Sequence, residues 1–362
     1  MFKVLHIMAC SDAGGISSVV LNYYRWMDRN EFQFDIALTV EEEGLNTRLL
    51  RELGAEIFHL PLKSKGIAAF ETALQALLSE RQYDAIHVHE NETSYVALRI
   101  AKKMGVKCRI AHSHTTSPYV SVKGEVRRLS GCVLNYHYAT AVIGCGQVAG
   151  ERVFGKRNMR KEKAYVLPNA IDTEKYRYNK KVRNEMRKAL GVEEQFVVGM
   201  VGRLSPEKNH LFALDFFRYM PKEIPNVKLL LIGNGPDEGK IKAHIKKYKM
   251  EPFVQLLGRR SDVYALYQAF DVLIMPSNYE GFPVAAVEAM ASGLPILLSD
   301  KITRELDFCK GVEYLPLKKQ MWIEALKKVT EKVDREIRQH EPKNNGLDIR
   351  DTAQMLERIY KN

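Results

Sequence analysis

The sequence predicts an α/β protein made of two Rossmann-like, doubly wound domains that face each other across a cleft. Three observations carry that prediction. A chain of 362 residues is longer than one hydrophobic core usually supports. Short apolar runs alternate with longer amphipathic ones along nearly its whole length, as βα units around parallel sheets do. The alternation also stops and restarts, because Asp172 to Arg187 is polar and basic without strand character. The expected domains are therefore 1–172 and 173–345, followed by a terminal segment, 346–362.

In the first half, strands are expected at Lys3–Ala9, Phe34–Val40, Glu56–Leu62, Ala85–His89, Cys108–His114, Ala141–Gly144 and Ala164–Leu167. Helices separate them, among them Ile16–Met27 and Ile67–Leu78. The second of these carries Ile67, Phe70, Leu74, Leu77 and Leu78 on one face. The second half repeats the pattern with strands at Phe196–Val201, Lys228–Ile232, Val254–Leu257, Val272–Pro276, Pro295–Ser299 and Val312–Leu315. From Ile349 to Tyr360 the period is helical again, with Ala353, Leu356 and Tyr360 along one side. The opening apolar run is broken by Lys3 and His6 and leads into Ser-Asp-Ala-Gly-Gly, so it reads as a buried strand rather than a signal peptide. No stretch approaches the roughly eighteen uninterrupted apolar residues of a membrane span.

The composition, 46% apolar and 27% charged, is that of an ordinary globular protein. Cys10, Cys108, Cys132, Cys145 and Cys309 form no C-x-x-C pair, which argues for reduced thiols in a cytoplasmic protein. The net charge is +11, and basic residues crowd the first half: Arg99, Lys102, Lys103, Lys107 and Arg109, then Lys123, Arg127 and Arg128, then Arg152 to Lys163. Such a surface attracts polyanions, whether nucleic acid, phosphates or an anionic membrane face. A plain solvated face explains it equally well.

Open parallel sheets bind ligands beyond the carboxyl ends of their strands, so chemistry should sit just after strands. The strongest motif is Ser277-Asn-Tyr-Glu280-Gly281-Phe282-Pro283, with Glu288 following in an E-x7-E spacing. Pro283 falls where a first helical turn would begin. Both carboxylates can then face a ligand over the helix N-terminus and accept hydrogen bonds from sugar hydroxyls, while the amides of Gly281 and Phe282 suit a phosphate. The plainer alternative is one capping and one surface carboxylate. Next, Gly202-Arg203-Leu-Ser-Pro-Glu-Lys208 places two cations around a turn, where they can converge on one anion while Gly202 admits the backbone. Gly233-Asn-Gly235-Pro236 and Leu257-Gly258-Arg259 follow the next strands; each is also a routine turn, and Gly258 could hold a base through its backbone.

In the first half, Gly14-Gly15 follows the first strand and opens a helix. His87-Val-His89 and His112-Ser-His114 end two strands, with both members of each pair on one face. His89 and His114 sit at the carboxyl ends, and His114 is the stronger candidate. Gly144-Cys-Gly146-Gln-Val-Ala149 imitates a dinucleotide fingerprint, but it comes late in its domain and no acidic residue ends the following strand.

Taken in order, Gly14-Gly15, His87–Glu90, His114, Pro168-Asn169-Ala170-Ile171-Asp172, Gly202-Arg203 with Lys208, Gly233–Pro236 and the Glu280/Glu288 pair resemble the retaining GT-B glycosyltransferases. The similarity is to the family 4 group, which includes bacterial capsule and exopolysaccharide enzymes. It implies a nucleotide-sugar donor, UDP-linked, held by the second domain, with Arg203 and Lys208 on the diphosphate, Glu280 on the donor sugar and Glu288 on the ribose. It implies His114, Arg203, Lys208 and Glu280 as the catalytic set. Gly14, Gly15, Gly233, Gly258, Gly281, Phe282 and Pro283 complete the donor side, and His89, His112 and Asn169 lie on the acceptor side. It also implies a terminal helix, 346–362, that crosses back to the first domain. Two departures stand out: Pro168-Asn169 is followed by Ala170 rather than glycine, and Ser299–Glu305 replaces the family's Gly-Gly-x-x-Glu segment.

Asp35, Asp84 and Asp271 form no Asp-x-Asp, so no metal and no cofactor are expected; two cations and a helix N-terminus would neutralise the departing diphosphate. The expected partners are the donor, a glycan or lipid-linked saccharide acceptor, and an anionic membrane surface, with no nucleic acid. The expected place is cytoplasmic, peripheral at the inner membrane face. Val122–His137 mixes Val126, Leu129 and Val133 with Lys123, Arg127 and Arg128, as an interfacial helix does, although core packing explains it as well. Two rival readings remain at this level: a nucleic-acid-binding protein, suggested by charge alone, and a non-catalytic nucleotide-sugar-binding protein on the same fold.

Overall fold

The computed structural model describes residues 1–9, 15–116, 121–329 and 335–362, apart from the side chains of Lys123 and Ile337. They form two compact units, Met1–Ala170 with Ile349–Asn362, and Ile171–Asp348. The first unit's strands are β1 (Phe2–Met8), β2 (Phe32–Leu38), β3 (Ile57–His59), β4 (Ala85–Val88), β5 (Cys108–Ser113), β6 (Ala141–Gly144) and β7 (Ala164–Val166). They lie in the order β3-β2-β1-β4-β5-β6-β7, and every pairing is parallel. The second unit repeats the plan with β8 (Phe196–Val201), β9 (Val227–Ile232), β10 (Val254–Gly258), β11 (Val272–Met275), β12 (Ile296–Ser299) and β13 (Val312–Leu315). Their order is β10-β9-β8-β11-β12-β13, again parallel.

Central strands such as β1, buried from Val4 to Met8, and β6, buried throughout, read as continuous apolar runs because helices cover both faces of a parallel sheet. In each sheet the strand order reverses once, between β1 and β4 and between β8 and β11. At such a reversal the flanking helices go to opposite faces and leave a crevice at the strands' carboxyl ends.

The helix Ile349–Lys361 packs its Ile349, Ala353, Leu356, Ile359 and Tyr360 into the same core as Val19, Val20, Tyr23 and Tyr24 of the helix Ile16–Trp26. The end of the chain thus completes the first unit. The second core is built around Phe216, Phe217, Leu229, Ile274 and Trp322, whose indole N–H donates to the Pro316 carbonyl at 2.9 Å.

The polar stretch after Asp172 is helical. Asp172 caps Thr173–Tyr176, and Asn179 caps Lys180–Leu190 by accepting from the amides of Lys181 and Val182. Gly191 ends that helix in the left-handed region. Its basic character has an internal use, since Arg183 and Arg187 both bind Asp271, just before β11. In the helix Ile67–Glu80, Phe70, Leu74, Leu77 and Leu78 are buried as expected, but Ile67, in its first turn, is exposed.

Leu356 is fully buried in the first core. Leu356→Ala should therefore lower stability by about 2–5 kcal/mol, read as a fall in the urea midpoint. An unchanged midpoint would mean that the terminal helix does not contribute to that core.

Candidate functional site

At the carboxyl ends of β8, β9 and β10, to one side of the second unit's strand reversal, three loops are laced together. The Gly202 amide donates to the Ile232 carbonyl at 3.0 Å, and the Gly233 amide to the Gly258 carbonyl at 2.8 Å. Gly202 has φ 154° and Gly233 φ 139°, conformations that side chains disfavour. A Cβ on Gly233 would sit 1.9 Å from the Gly202 carbonyl oxygen, so glycine is a steric requirement of the two loops' contact. Gly258, at φ 64°, contributes through its backbone, which holds Gly233.

Beyond Gly202, residues Pro206–Lys208 form a short 3-10 turn. Asn278 binds it twice, its amide to the Glu207 carbonyl at 2.8 Å and its side chain to the Pro206 carbonyl at 3.0 Å. This ties the loop after β11 to the loop after β8. Across that join, the Lys208 ammonium donates to both oxygens of Glu280, at 2.6 and 2.8 Å. Ser277 adds its hydroxyl to Glu280 Oε1 at 2.7 Å. The carboxylate is buried, and the lysine side chain is about one-fifth exposed. Charge-assisted bonds in such partial burial are strong, and losing one partner leaves the other desolvated and uncompensated.

Arg203 stands apart from this pair. Its side chain is exposed and makes no hydrogen bond or ion pair among the described residues. The amides of Gly281 and Phe282 are likewise unbonded among those residues. Pro283 is not in the first helical turn but one residue before it, as the N-cap of Val284–Ala291. A free cation, a partly satisfied ammonium and two unbonded amides are the donors an anionic ligand needs.

Glu288 occupies a different environment. Its two oxygens accept the hydroxyls of Tyr176 at 2.7 Å and Tyr267 at 2.8 Å. Burial raises its carboxyl above the usual range, against the lowering effect of those hydroxyls. The same burial and the adjacent carboxylate hold both tyrosines well above theirs. Glu288 is thus a packing and hydrogen-bonding hub whatever else it contacts. A nearby cavity of about 600 Å³, lined by Lys175, Tyr178, Tyr264 and Gln268 among others, includes neither Lys208 nor Glu280.

In the first unit, Gly14 lies outside the described residues, while Gly15 is the N-cap of Ile16–Trp26 at φ 59°. The strand reversal is filled by histidines. His6 of β1 pairs in register with His87 of β4. His87 and His89 stack at 4.3 Å between ring centroids, and His112 and His114 approach at 4.1 Å. His6 Nδ1 lies 3.0 Å from His89 Nε2, His87 Nε2 lies 3.1 Å from His112 Nδ1, and His89 Nδ1 lies 2.8 Å from His114 Nε2. Asn91 Oδ1 accepts from the backbone amide of His114 at 3.0 Å. Beside them Glu90 forms an ion pair with Lys63. One ring nitrogen from each of His6, His87 and His89, or of His89, His112 and His114, can be chosen within 4.8 Å of the others, so either triad could hold a metal. Asn169 is buried, its side-chain oxygen without a partner among the described residues.

Several sequence features take structural roles. Gly144 is the last residue of β6, two strands from the reversal, and a Cβ there would meet the Gly146 carbonyl at 2.5 Å, so these glycines serve a tight turn. Arg109 donates to the carbonyls of Tyr138 and Val106, and Lys163 to that of Ala139, which removes part of the basic run from the solvated face. The sequence reading assigned no site role to His6, Tyr176, Tyr267, Ser277 or Tyr360; the first four contact proposed site residues, and Tyr360 reaches them through His6 and His87. His6 and Ser277 lie in or just after strands, but only strand register shows what they face.

Burial keeps the histidines neutral. It lowers His6 to about 3 and drives His87, His89, His112 and His114 in the same direction. In the unfolded chain these rings titrate near 6.5. Between those limits the unfolded state binds more protons, so stability falls as pH falls below about 6.5, by up to about 1.4 kcal/mol per pH unit for each ring. Urea unfolding at pH 7 and pH 5 checks this: equal free energies at the two values would contradict a neutral buried cluster.

Comparison with known proteins gives the family. Residues 13–175 match the family described as Glycosyltransferase Family 4, and residues 182–346 match Glycosyl transferases group 1. The protein named glycosyltransferase EpsF of Bacillus subtilis is 33% identical over 86% of this chain and 82% of its own length. UDP-Gal:alpha-D-GlcNAc-diphosphoundecaprenol alpha-1,3-galactosyltransferase of Escherichia coli is 28% identical over 82% and 79%. Among solved structures, Anabaena HepE in complex with UDP and glucose superposes with a TM-score of 0.84 at 21% identity, covering all of both chains. The chain belongs to the glycosyltransferases, with the GT-B fold and the family 4 type of sequence.

Proposed function

We propose that this glycosyltransferase is a retaining, metal-independent hexosyltransferase that moves a sugar from a UDP-sugar to a glycan or lipid-linked saccharide in capsule or exopolysaccharide assembly. The observation that carries the reading is the Lys208–Glu280 pair at the strand reversal of the second unit, with Arg203 in the same loop as Lys208 and the unbonded amides of Gly281 and Phe282 following Glu280. Cleavage of the sugar–phosphate bond builds negative charge on the departing diphosphate. Fixed cations and a helix N-terminus stabilise that charge most when they are already oriented before it forms. Arg203 is free to meet a phosphate. Lys208 has three N–H donors and is held at its place by Glu280, so it can share itself between carboxylate and diphosphate. Glu280 is assigned to the donor sugar and Glu288 to the ribose. In the first unit, His114 is assigned to the reacting sugar, and His89, His112 and Asn169 to the acceptor side.

The donor reading draws on the relatives: the Escherichia coli enzyme is named for UDP-Gal, and HepE has been seen with UDP and with UDP-glucose. The lipid-linked acceptor draws on the same enzyme, whose named acceptor is a diphosphoundecaprenol. Among the described residues no helix is long and apolar enough to cross a membrane. The helix Val122–Tyr138 instead offers a stripe. Val122, Val126, Leu129 and Val133 are spaced on one face and are 83%, 60%, 53% and 66% exposed, so they are not packed into the core. An apolar stripe bordered by Arg127 and Arg128 suits the interface of an anionic bilayer.

Lys208→Ala should reduce sugar transfer by 10²- to 10³-fold, equivalent to about 2–4 kcal/mol of transition-state stabilisation. The measurement is kcat with UDP-sugars in the presence of a chelator; unchanged turnover would remove the phosphate assignment. Flotation with vesicles containing anionic lipid should carry the protein at low salt, and Leu129→Glu with Val133→Glu should release it. Failure of the unaltered protein to float would end the membrane reading.

A further inference from the structure

The first unit's histidines are joined in one unbranched path. His112 Nδ1 meets His87 Nε2 at 3.1 Å, and His87 Nδ1 meets the Tyr360 hydroxyl at 2.7 Å. That hydroxyl lies 3.4 Å from His6 Nε2, His6 Nδ1 meets His89 Nε2 at 3.0 Å, and His89 Nδ1 meets His114 Nε2 at 2.8 Å. A neutral imidazole has one N–H and one lone pair, and each link holds one proton. The Tyr360 hydroxyl, buried between two rings, donates its one proton to one of them and accepts from the other, so placing the proton in any link places it in every other. Either all five rings carry Nδ1–H, or all five carry Nε2–H.

The closed end of the path decides between them. His112 Nε2 is buried and has no partner among the described residues. With Nε2–H throughout, that atom would be a buried donor with nothing to bind. With Nδ1–H throughout, it is an unfilled acceptor, a more readily tolerated defect than an orphaned N–H. At the other end, half-buried His114 then carries a proton on its free nitrogen.

A metal suits the same atoms less well. The paired nitrogens are 2.8–3.1 Å apart, shorter than the roughly 3.3 Å between tetrahedral ligands at zinc–nitrogen distances of about 2.0–2.1 Å. The adjacent carboxylate, Glu90, is already paired with Lys63 and so does not offset a buried dication.

We propose that Tyr360 and the rings of His6, His87, His89 and His112 form one hydrogen-bonded chain that holds His114 as the Nδ1–H tautomer. His114 then presents a hydrogen-bond donor, not a base, beyond the end of β5, and Tyr360 is a positioning residue acting through the chain. The functional half rests on His114 being a site residue; the chain itself does not.

The test is nitrogen-15 NMR of the full chain labelled at histidine, at neutral pH. The expected result is Nδ1–H in all five rings, with 15N–15N couplings across the three N–H···N links. Nε2–H in any of the five, or ring nitrogens that move to metal-ligand shifts when zinc alone is added, would overturn the chain. Tyr360→Phe adds a second reading: the ring signals of His114, three links away, should change. If only His6 and His87 respond, the tyrosine is a local packing group and the relay fails. His114→Ala with full transferase turnover would remove the functional half while leaving the chain in place.

Discussion

Because every strand of each sheet runs in the same direction, all the loops that follow strands gather along one edge, and the single reversal of strand order opens one crevice there. The rest of the arrangement follows from this constraint. β8 and β11 are neighbours, so Lys208 and Glu280, 72 residues apart in the chain, arrive within hydrogen-bonding distance. β1, β4 and β5 are neighbours too, so His6, His87 and His112 line up side by side. The loops can pack this closely only where side chains are absent, which is why Gly202 and Gly233 stand back to back.

The two reversals are electrostatic opposites. In the second unit, charge is concentrated and compensated: a lysine held by a carboxylate, an exposed arginine, and amides at a helix N-terminus. The lysine and the amides already point in fixed directions, so little reorganisation would be needed for them to meet an anion. In the first unit, burial removes charge from the histidines altogether and leaves polarity in the form of hydrogen-bond direction. A neutral ring chain survives inside a sheet because nearly every ring nitrogen has a partner. A single charged imidazolium in the same place would find the adjacent carboxylate, Glu90, already paired with Lys63.

Glu288 shows how far a motif can be placed correctly in the chain and still be misjudged in its surroundings. Its spacing from Glu280 places it on the helix after β11, as expected. Its oxygens, however, are engaged by tyrosines from two other helices, one of which was unrecognised because its polar sequence hid a capped helical turn. The apolar residues of Val122–Tyr138 show the opposite case: their spacing fits burial or an interface equally, and their exposure shows that they are not packed into the core.

By itself the sequence determined the strands, the two-fold repetition of the βα pattern, and the chemical kind of each loop. Those are local properties, written in hydrophobic period and in glycine, proline and charged residues at strand ends. All of its strands formed, most within one or two residues of their expected limits, and β3 was shorter than expected. Only the tertiary structure decided the company each side chain keeps: Lys208 on Glu280, Glu288 between two tyrosines, His6 and Tyr360 among the paired histidines. These depend on strand order, register and the return of the terminal helix. Such contacts join residues as far apart as His6 and Tyr360, and no local pattern encodes a distance of that kind.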